Sequence, residues 1–342
     1  MKILLYSDLH ISRTSSIMPT IISNSKYTFR QNMIIELGKF LTLIAENEKP
    51  DLIINLGDTF DQCTITSYDV QTASEFFKQF EKLSNIKHYV LVGNHEMVNQ
   101  NFNAIALLNN ISNIEVIDEP CTIGELAFLP YCNYKDILDF PEGKYLFSHQ
   151  DIQGSIIRGD FTLPEGISTD VLKANYKLVF NGHIHKSSIN QNVINIGSIS
   201  THSFSDDNEG VPQCYIFDTE TMDLKTFKPN VCPLFRKFEV KDNIDNLKTY
   251  VNKLDDTYKY ILHVICPFEI KEDIKQYLQD NPKILNSRIS TKIEKQVKET
   301  IEQEQINLQA NIDINQSFKD FLDITELRFP KENYIEVMKG VI

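Results

Sequence analysis

Five short motifs combine carboxylate, imidazole and amide side chains, and each follows directly on a short apolar segment. In chain order they are Asp8-x-His10, Gly57-Asp58, Gly93-Asn94-His95-Glu96, the single His149 and His183-x-His185. Residues spaced by two on an extended segment project to the same side, so each Asp-x-His or His-x-His pair can converge on one site. Such a mixture suits divalent manganese, iron or zinc better than calcium, which prefers cages of oxygen alone.

The number of candidate ligands is sufficient for two metal ions. Two ions about 3.5 to 4 Å apart activate water and clamp the oxygens of an in-line phosphoryl displacement, so hydrolysis of a phosphate ester is the expected chemistry. Taken singly, Asp8, Asp58 and Asn94 are each more typical of a turn or a helix cap than of a metal ligand. The ordered set, which holds five of the eight histidines, favours metal binding.

The elements that must position these motifs alternate between strand and helix in the first part of the chain. Strands are predicted at Lys2 to Tyr6, Leu52 to Leu56 and Tyr89 to Val92, and helices at Phe29 to Asn47 and Tyr68 to Leu83. In the first helix, Met33, Leu37, Leu41 and Ile44 lie at helical spacing. This alternation predicts a largely parallel sheet, and ligands bind at the carboxyl ends of the strands in such sheets.

From residue 114 onward the predicted strands are more frequent, which favours a second, mixed sheet packed on the first. The pattern of predicted strands and helices changes again at Pro229 to Pro233. The next segment alternates strand and helix as a small α+β unit up to Ile289, and the apolar stretch from Phe318 to Leu327 needs a partner surface. We therefore expect 1–230 as the catalytic domain, 234–292 as an α+β domain and 293–342 as a linker with a C-terminal segment.

The motif order D-x-H, G-D, G-N-H-E, H and G-H-x-H resembles that of the calcineurin-type metallophosphoesterase superfamily. Within it, Gly57-Asp58-Thr59-Phe60-Asp61 resembles the G-D-x-F-D motif of SbcD nucleases, the bacterial and phage counterparts of the nuclease subunit in double-strand-break repair complexes. Protein phosphatases carry Arg-Gly after that motif, where this chain has Gln62 and Cys63. The resemblance implies a four-layer α/β/β/α sandwich, followed by a small α+β capping domain and a C-terminal helical tail.

The resemblance also implies how the ligands divide between two divalent ions, with manganese favoured and Asp58 bridging. One ion would take Asp8, His10, Asp58 and His185, and the other Asp58, Asn94, His149 and His183. His95 lies outside this set; in the family it contacts the scissile phosphate and assists departure of the leaving oxygen. Asp61 stands where some relatives have a histidine, and it either orients His95 or caps a turn.

The function implied is a metal-dependent DNA exonuclease and endonuclease that hydrolyses phosphodiesters at DNA ends, on double-stranded ends and single strands, in repair or recombination. The resemblance also implies an SMC-like SbcC-type ATPase as the partner. No G-x-x-x-x-G-K-[ST] loop is present, so any ATP-driven step must come from another chain. Residues 318–327 either bind that partner or dock on the chain's own core. Phe76, Phe77 and Phe80 are either the face of a homodimer or an intrachain core contact.

The composition of the chain limits the other classes of protein to which it could belong. The formal charge of −13, from 34 Lys and Arg against 47 Asp and Glu, argues against capture of a polyanion by the chain's overall field alone. No run of about 18 apolar residues is present, and no signal-peptide core, so we expect no membrane association and a place in the cytoplasm of a bacterium or phage-infected host. The six cysteines form no CxxC pair and are predicted to be free thiols.

Several alternatives remain open from the sequence. The same fold and metals would also serve a phosphatase or a small-substrate phosphodiesterase, and a chain with decayed ligands would be a binding scaffold. Gly197-Ser198 fits either a backbone approach to substrate or a turn. Arg13, Arg30, Arg158 and Lys186 lie near motif loops and could contact phosphates, although solvated surface is the default for each.

Overall fold

The computed structural model describes most of the chain up to Thr291. The described residues are 1–13, 18, 25–99, 102–111, 113–137, 139–158, 161–201, 203–204, 210–241 and 243–291. The predicted tail, with the stretch from Phe318 to Leu327, lies outside them, as does His202. The chain divides into two compact units, Met1–Ile289 and Ser290–Ile342. Within the described residues, no helix is both long and apolar enough to cross a membrane.

The elements alternate as the sequence predicts at first and become strand-rich later. In chain order they are β1 (Lys2–Tyr6), α1 (Phe29–Glu48), β2 (Leu52–Asn55), α2 (Ser67–Lys78), β3 (Lys87–Leu91), β4 (Met97–Asn99), β5 (Phe102–Asn103), β6 (Ile114–Ile117), β7 (Cys121–Ile123), β8 (Leu126–Leu129), β9 (Tyr145–Ser148), β10 (Ile156–Arg158), β11 (Phe161–Thr162), α3 (Thr169–Asn175), β12 (Leu178–Asn181), β13 (Ser188–Asn190), β14 (Val193–Asn195), β15 (Cys214–Asp218), β16 (Leu224–Phe227), β17 (Leu234–Glu239), α4 (Asp245–Lys253), β18 (Tyr260–Cys266), α5 (Lys271–Asp280) and β19 (Ile284–Thr291).

Two six-stranded sheets form the centre of the molecule. The first has the order β16-β15-β1-β2-β3-β6 and the second β13-β14-β12-β9-β8-β7. In the first, β1, β2, β3 and β6 are parallel. In the second, β8, β9, β12 and β14 are parallel, with antiparallel strands β7 and β13 at the edges. The predicted parallel sheet and second mixed sheet are both confirmed.

The four layers follow from strands that are apolar on both faces, as parallel strands buried on both sides must be. In β1, Ile3 and Leu5 face the second sheet, whereas Leu4 and Tyr6 face the helices. Helices α1 and α2 cover the outer face of the first sheet, and α3 covers part of the outer face of the second. The α/β/β/α sandwich implied by the resemblance is therefore confirmed.

Helix α1 begins where its capping chemistry predicts. The Thr28 hydroxyl accepts from the Gln31 amide at 3.2 Å, and the Gln31 side chain accepts from the Thr28 amide at 3.0 Å. The helix ends at Glu48, before Lys49 in the left-handed conformation at φ 52°. The four apolar residues at helical spacing, Met33, Leu37, Leu41 and Ile44, are all buried.

Helix α2 is shorter than predicted, because the chain leaves the helix after Lys78 and residues Glu81–Leu83 form a separate 3₁₀ turn. Phe76, Phe77 and Phe80 are all buried in the core between α2 and the first sheet. The intrachain alternative is thus the one the structure supports. These three rings are not exposed as a face for a second copy of the chain, because the sheet below them already covers them.

The segment after Pro233 forms a three-stranded sheet, in the order β17-β18-β19, with α4 and α5. It has a core of its own, which includes Leu247, Val251, Leu262 and Ile274. Phe235 also contacts the Phe204 ring, at 5.2 Å between centroids. The domain boundaries near residues 230 and 292 stay a prediction.

Candidate metal centre

The five motifs meet at one edge of the sandwich. Asp8 with His10, Asp58, and Asn94 with His95 follow β1, β2 and β3, and His149 and the pair His183 and His185 follow β9 and β12. Because these strands are parallel neighbours in two facing sheets, their carboxyl ends lie together. Three overlapping groups, each with ligand atoms within 4.8 Å of one another, join them: Asp8, His10 and His185; His10, Asp58 and His95; and Asp58, His149 and His183.

Four of the predicted ligands have a strained backbone. Asp8, His10, Asp58 and His183 have φ values of 57°, 47°, 51° and 65°. Each such conformation costs a non-glycine residue roughly 1 kcal/mol or more. It persists where several surrounding contacts hold the backbone in place. Here Asp8 N donates to Gly57 O and His10 N donates to Asp58 O, both at 3.0 Å. Strain concentrated at one side-chain cluster is typical of a functional site.

Two glycines allow the loops to approach one another. A Cβ atom at Gly93 would lie 2.1 Å from the Asp58 carboxylate oxygen Oδ1, and one at Gly182 would lie 2.3 Å from Ser7 Oγ. Backbone atoms lie nearly as close and cannot move aside, since Asp58 N would be 2.4 Å from the first Cβ and Leu56 O 2.7 Å from the second. Glycine is therefore required at both positions for the motif loops to pack as they do.

The Asp8 carboxylate is the strongest sign that a cation belongs in the first half of the cluster. It is fully buried, and neither of its oxygens has a hydrogen-bond partner. The Nε2 atoms of His10 and His185 lie 2.9 Å apart, and His185 Nε2 lies 3.6 Å from Asp8 Oδ1. A buried carboxylate without a partner is costly, and a divalent cation coordinated by these three side chains would remove that cost.

The second half of the cluster converges on Asn94. Its side-chain oxygen lies 2.9 Å from His183 Nδ1 and 3.1 Å from His149 Nε2, and His149 Nε2 lies 3.3 Å from Asp58 Oδ2. An amide oxygen, a carboxylate and two imidazole nitrogens thus face one another. Asp58 contributes to both halves, since Oδ2 also lies 3.8 Å from His10 Nε2.

Outer contacts fix the orientation of the histidines. His149 Nδ1 donates to Leu56 O at 2.7 Å, His183 Nε2 donates to Asp151 Oδ1 at 3.0 Å, and His10 Nδ1 lies 3.5 Å from Asp61 Oδ1. With an ion bound, the ring nitrogen that faces this outer acceptor would carry the hydrogen, and the other nitrogen would offer its lone pair toward the cluster. This is the tautomer that a metal ligand needs, so the residues fit a pair of divalent ions.

His95 differs from the other histidines of the cluster. Its side chain is 39% exposed, whereas that of His149 is fully buried. Its Nδ1 atom donates to the main-chain oxygen of Asp61 at 2.6 Å, and its Nε2 atom lies 4.0 Å from Asp58 Oδ2. His95 therefore lies at the solvent side of the cluster, with Nε2 directed at the place where the groups meet.

Charges within the cluster are coupled. Burial by itself would raise the pKa of Asp58, but the nearby imidazoles of His149, His10 and His95 outweigh it and lower the pKa of that carboxyl. Burial opposes protonation of His149, yet Asp58 and Asp8 outweigh it and raise the pKa of the ring. The cluster thus stabilises positive charge beside Asp58, which is the electrostatic condition for binding cations.

The structure adds three residues that sequence reasoning missed or undervalued. Glu96 is fully buried and accepts hydrogen bonds from Phe60 N at 2.9 Å and Gly93 N at 2.6 Å, so it joins the second and third motifs. Burial, opposed by these two amides, raises the pKa of Glu96 to about 8. Asp151 lies two residues after His149, and that spacing was the one sequence signal for it. Tyr131 lies over His183, with 6.0 Å between ring centroids.

Arg30 was expected on the surface or at a phosphate, and both expectations are wrong. The side chain is buried, and its guanidinium donates to Leu9 O, His10 O and Thr201 O at 2.8, 2.9 and 2.7 Å. The first turn of α1 faces the loop after β1, which brings these carbonyls to the guanidinium. Arg30 therefore supports the backbone that carries His10.

The remaining candidates are placed as follows. Ser198 donates to Asp8 O at 2.8 Å and Gly197 has a φ of 78°, so this pair supports the first motif. Arg13 is exposed and its guanidinium lies 4.0 Å above the Tyr68 ring. Lys186 is half-buried, and the side chain of Arg158 lies outside the described part of the chain.

Comparison with known proteins gives one family. A model of the calcineurin-like phosphoesterase family matches residues 1–187. Among curated proteins, the chain is similar to exonuclease subunit 1 of Enterobacteria phage T4, with 26% identity over 309 residues. That alignment covers 83% of this chain and 86% of the relative.

Solved structures of similar proteins include three that cover about two thirds of this chain. An archaeal phosphodiesterase has 16% identity and a TM-score of 0.36, covering 67% of this chain and 100% of the other. The phosphoesterase Yfce from E. coli has 11% identity and a TM-score of 0.34, with coverages of 67% and 99%. Pseudomonas putida nuclease MPE has 17% identity and a TM-score of 0.31, with coverages of 63% and 84%.

Proposed function

The chain belongs to the calcineurin-like phosphoesterase family, and we propose that within this family it is a metal-dependent nuclease subunit that hydrolyses phosphodiesters at DNA ends. The observation that supports DNA as the substrate is the similarity to an exonuclease subunit over 83% of this chain. The motif Gly57 to Asp61, with Gln62 and Cys63 after it, supports a nuclease over a protein phosphatase.

Two divalent ions, with manganese as the proposed species, would be held by the seven ligands at the sheet edge. Asp8, His10, Asp58 and His185 would hold one, and Asp58, Asn94, His149 and His183 the other, with Asp58 shared. When bound, such ions polarise phosphate oxygens and make water a stronger nucleophile. The orphaned carboxylate of Asp8 and the orienting contacts of His149 and His183 support this arrangement.

His95 is the proposed proton donor to the leaving oxygen. A carbonyl oxygen only accepts hydrogen bonds, so the contact with Asp61 O keeps a hydrogen on His95 Nδ1 and aims Nε2 at the substrate. A protonated Nε2 can contact a phosphate oxygen and then give its proton to the departing alkoxide. Asp61 is the positioning residue, through its main chain toward His95 and through its carboxylate toward His10.

The proposal includes a partner. The relative is a subunit by its name, and this chain carries a net charge of −13, which disfavours unaided capture of DNA. An SMC-like ATPase of the SbcC type, bound by residues 293–342, would supply both the ATP-driven step and part of the DNA contact. A homodimer acting in the cytoplasm of a bacterium or phage-infected host completes the proposal.

The test is hydrolysis of an end-labelled linear duplex by the purified chain with manganese, next to bis(p-nitrophenyl) phosphate as a small diester. We expect nucleotide release by the wild type, loss of release in His95→Asn, and retention in a matched His263→Asn variant outside the cluster. Hydrolysis of the small diester with no attack on DNA, also after addition of a candidate ATPase, would instead establish a small-substrate phosphodiesterase.

A further inference from the structure

A pocket of about 400 Å³ lies beside the metal centre, between the loop after β1 and the first turn of α2. Ile11, Ser12 and Arg13 form one wall, and Ser67 and Tyr68 lie on the other. Asp61 and Gln62 line it between those walls. Its volume falls within the range of roughly 300 to 1,000 Å³ typical of small-ligand sites, so it can hold one nucleotide-sized group.

The pocket is continuous with the reacting groups. Ile11 pairs with Phe60, through hydrogen bonds from Ile11 N to Thr59 O at 2.8 Å and from Asp61 N to Ile11 O at 3.2 Å. Ile11 directly follows the predicted ligand His10, and the main-chain oxygen of Asp61 holds His95. The pocket therefore shares its lining with the two loops that carry His10 and hold His95.

The chemistry of the pocket is that of an unpaired nucleotide. Arg13 is exposed and its guanidinium lies 4.0 Å above the ring of Tyr68, which is 45% exposed. The plane of a guanidinium and the ring of a tyrosine both stack on the faces of bases, irrespective of sequence. A guanidinium also pairs with phosphate. Arg13 is the one cationic side chain among the described residues that line the pocket.

The pocket also contains the carboxylates of Asp61 and Asp69, but neither neutralises the positive charge that Arg13 presents to a ligand. Asp69 accepts from Thr66 N at 2.8 Å and from Thr66 Oγ1 at 2.6 Å, so its carboxylate closes the cap of α2. Asp61 Oδ1 lies 3.5 Å from His10 Nδ1 and is directed at the metal centre. Polar groups on Ser12, Gln62 and Ser67 remain to contact a sugar or a base edge.

We propose that the pocket between Arg13 and Tyr68 binds the nucleotide next to the scissile phosphodiester, with its base stacked on the Arg13 and Tyr68 pair and its phosphate on Arg13. The inference rests on the proposed nuclease function. Bases inside a duplex are already stacked and paired, so the pocket serves a single strand or an opened end.

The test is binding of a single-stranded oligonucleotide that contains 2-aminopurine, whose fluorescence is quenched by stacking. The full chain carries His95→Asn and is loaded with manganese, so that the strand is bound without turnover. We expect Tyr68→Ala and Arg13→Ala each to raise the Kd roughly tenfold, and Tyr68→Ala to remove part of the quenching. Tyr68→Phe keeps the ring and is expected to stay within about twofold of the parent chain.

Matched controls are Phe268→Ala, an exposed aromatic residue, and Arg288→Ala, an exposed arginine in β19. Neither is expected to change the Kd. A strand that binds the parent chain and both pocket variants with equal Kd and equal quenching would overturn the subsite and leave the nuclease proposal standing. Absence of strand binding and of DNA hydrolysis, also after addition of a candidate ATPase, with wild-type hydrolysis of bis(p-nitrophenyl) phosphate alone, would overturn both.

Discussion

The Nδ1 atom of His95 lies 2.6 Å from the main-chain carbonyl oxygen of Asp61. The contact uses the backbone of Asp61, so it survives any substitution of that side chain. The carboxylate of the same residue is directed elsewhere, with Oδ1 3.5 Å from His10 Nδ1. One residue thus positions the proposed proton donor and a proposed metal ligand through two different groups, and the two contacts can be separated by mutation.

Replacement of His95 by Asn removes the proposed proton donor and leaves all seven predicted ligands. We expect kcat for phosphodiester hydrolysis to fall roughly 10² to 10⁴-fold, the usual contribution of general acid catalysis. Calorimetric titration with manganese should give an affinity close to that of the wild type. A loss of manganese binding comparable to that of Asp58→Asn would contradict this role, because it would make His95 a ligand.

Asp61→Asn removes the charge near His10 and keeps the carbonyl that holds His95. Mutation of a group that orients a metal-ligating histidine typically weakens metal affinity about 10 to 100-fold. We expect that loss in a manganese titration, with kcat at saturating manganese within a fewfold of the wild type. Asp245→Asn on α4, whose carboxylate is 78% exposed, is the control. A large fall in kcat with unchanged affinity would show that the carboxylate acts on the reaction itself.

Arg30→Met tests the buried guanidinium that supports the loop of His10. The substitution removes the guanidinium from three main-chain oxygens. Leu9 O and His10 O keep only the hydroxyls of Ser200 and Ser12, and Thr201 O loses its charged donor. We expect it to lower the free energy of unfolding by about 3 kcal/mol. Lys39→Met, on the exposed face of the same helix, should change it by no more than about 0.5 kcal/mol. Urea denaturation measures both. Equal stability of the two variants would contradict the structural role of Arg30.

His88 is predicted to make stability depend on pH. The ring is buried against Phe77 and Phe80, its Nε2 atom lies 2.9 Å from the Tyr6 hydroxyl, and burial lowers its pKa to about 3. Below the unfolded value near 6.5 the unfolded chain binds a proton that the folded chain excludes, so stability is complete above that pH and falls as the pH drops toward 3.

Relative to a His88→Gln variant, the wild type should lose about 2 kcal/mol more between pH 8 and pH 5. Urea unfolding of both chains in EDTA at the two pH values measures the difference, and contributions from other histidines cancel. Parallel pH profiles of the two chains would indicate that His88 takes up its proton as readily in the folded chain as in the unfolded one, and would contradict its burial as a neutral ring.

The sequence predicted the fold well because the parallel strands carry unmistakable patterns. Lys2–Tyr6 has the predicted bounds, and a polar residue signal ends the strand there. The elements that were not predicted are short or polar, such as Ser188–Asn190 and Thr169–Asn175. Three residues are too few for the period of a strand to be visible, and seven residues span only about two helical turns, so these elements depend on their neighbours in the fold.

The candidate ligands could also be found from the sequence, since strand ends and spacing by two place them on one edge. The contacts that support these ligands could not be predicted from the sequence. The acceptors of Arg30 are main-chain oxygens from segments about 190 residues apart in the chain, Leu9 and Thr201. No residue type or spacing reveals a carbonyl that folding brings to a guanidinium, and the position of Glu96 between two amides is hidden in the same way.

The central claim is that the buried cluster holds two divalent ions, and anomalous diffraction from crystals of the full chain grown with manganese tests it most directly. The account predicts two peaks, one among Asp8, His10, Asp58 and His185 and one among Asp58, Asn94, His149 and His183. It also predicts that Asp58→Asn weakens both peaks. A single peak, or peaks held by other residues, at manganese concentrations that support hydrolysis would contradict it.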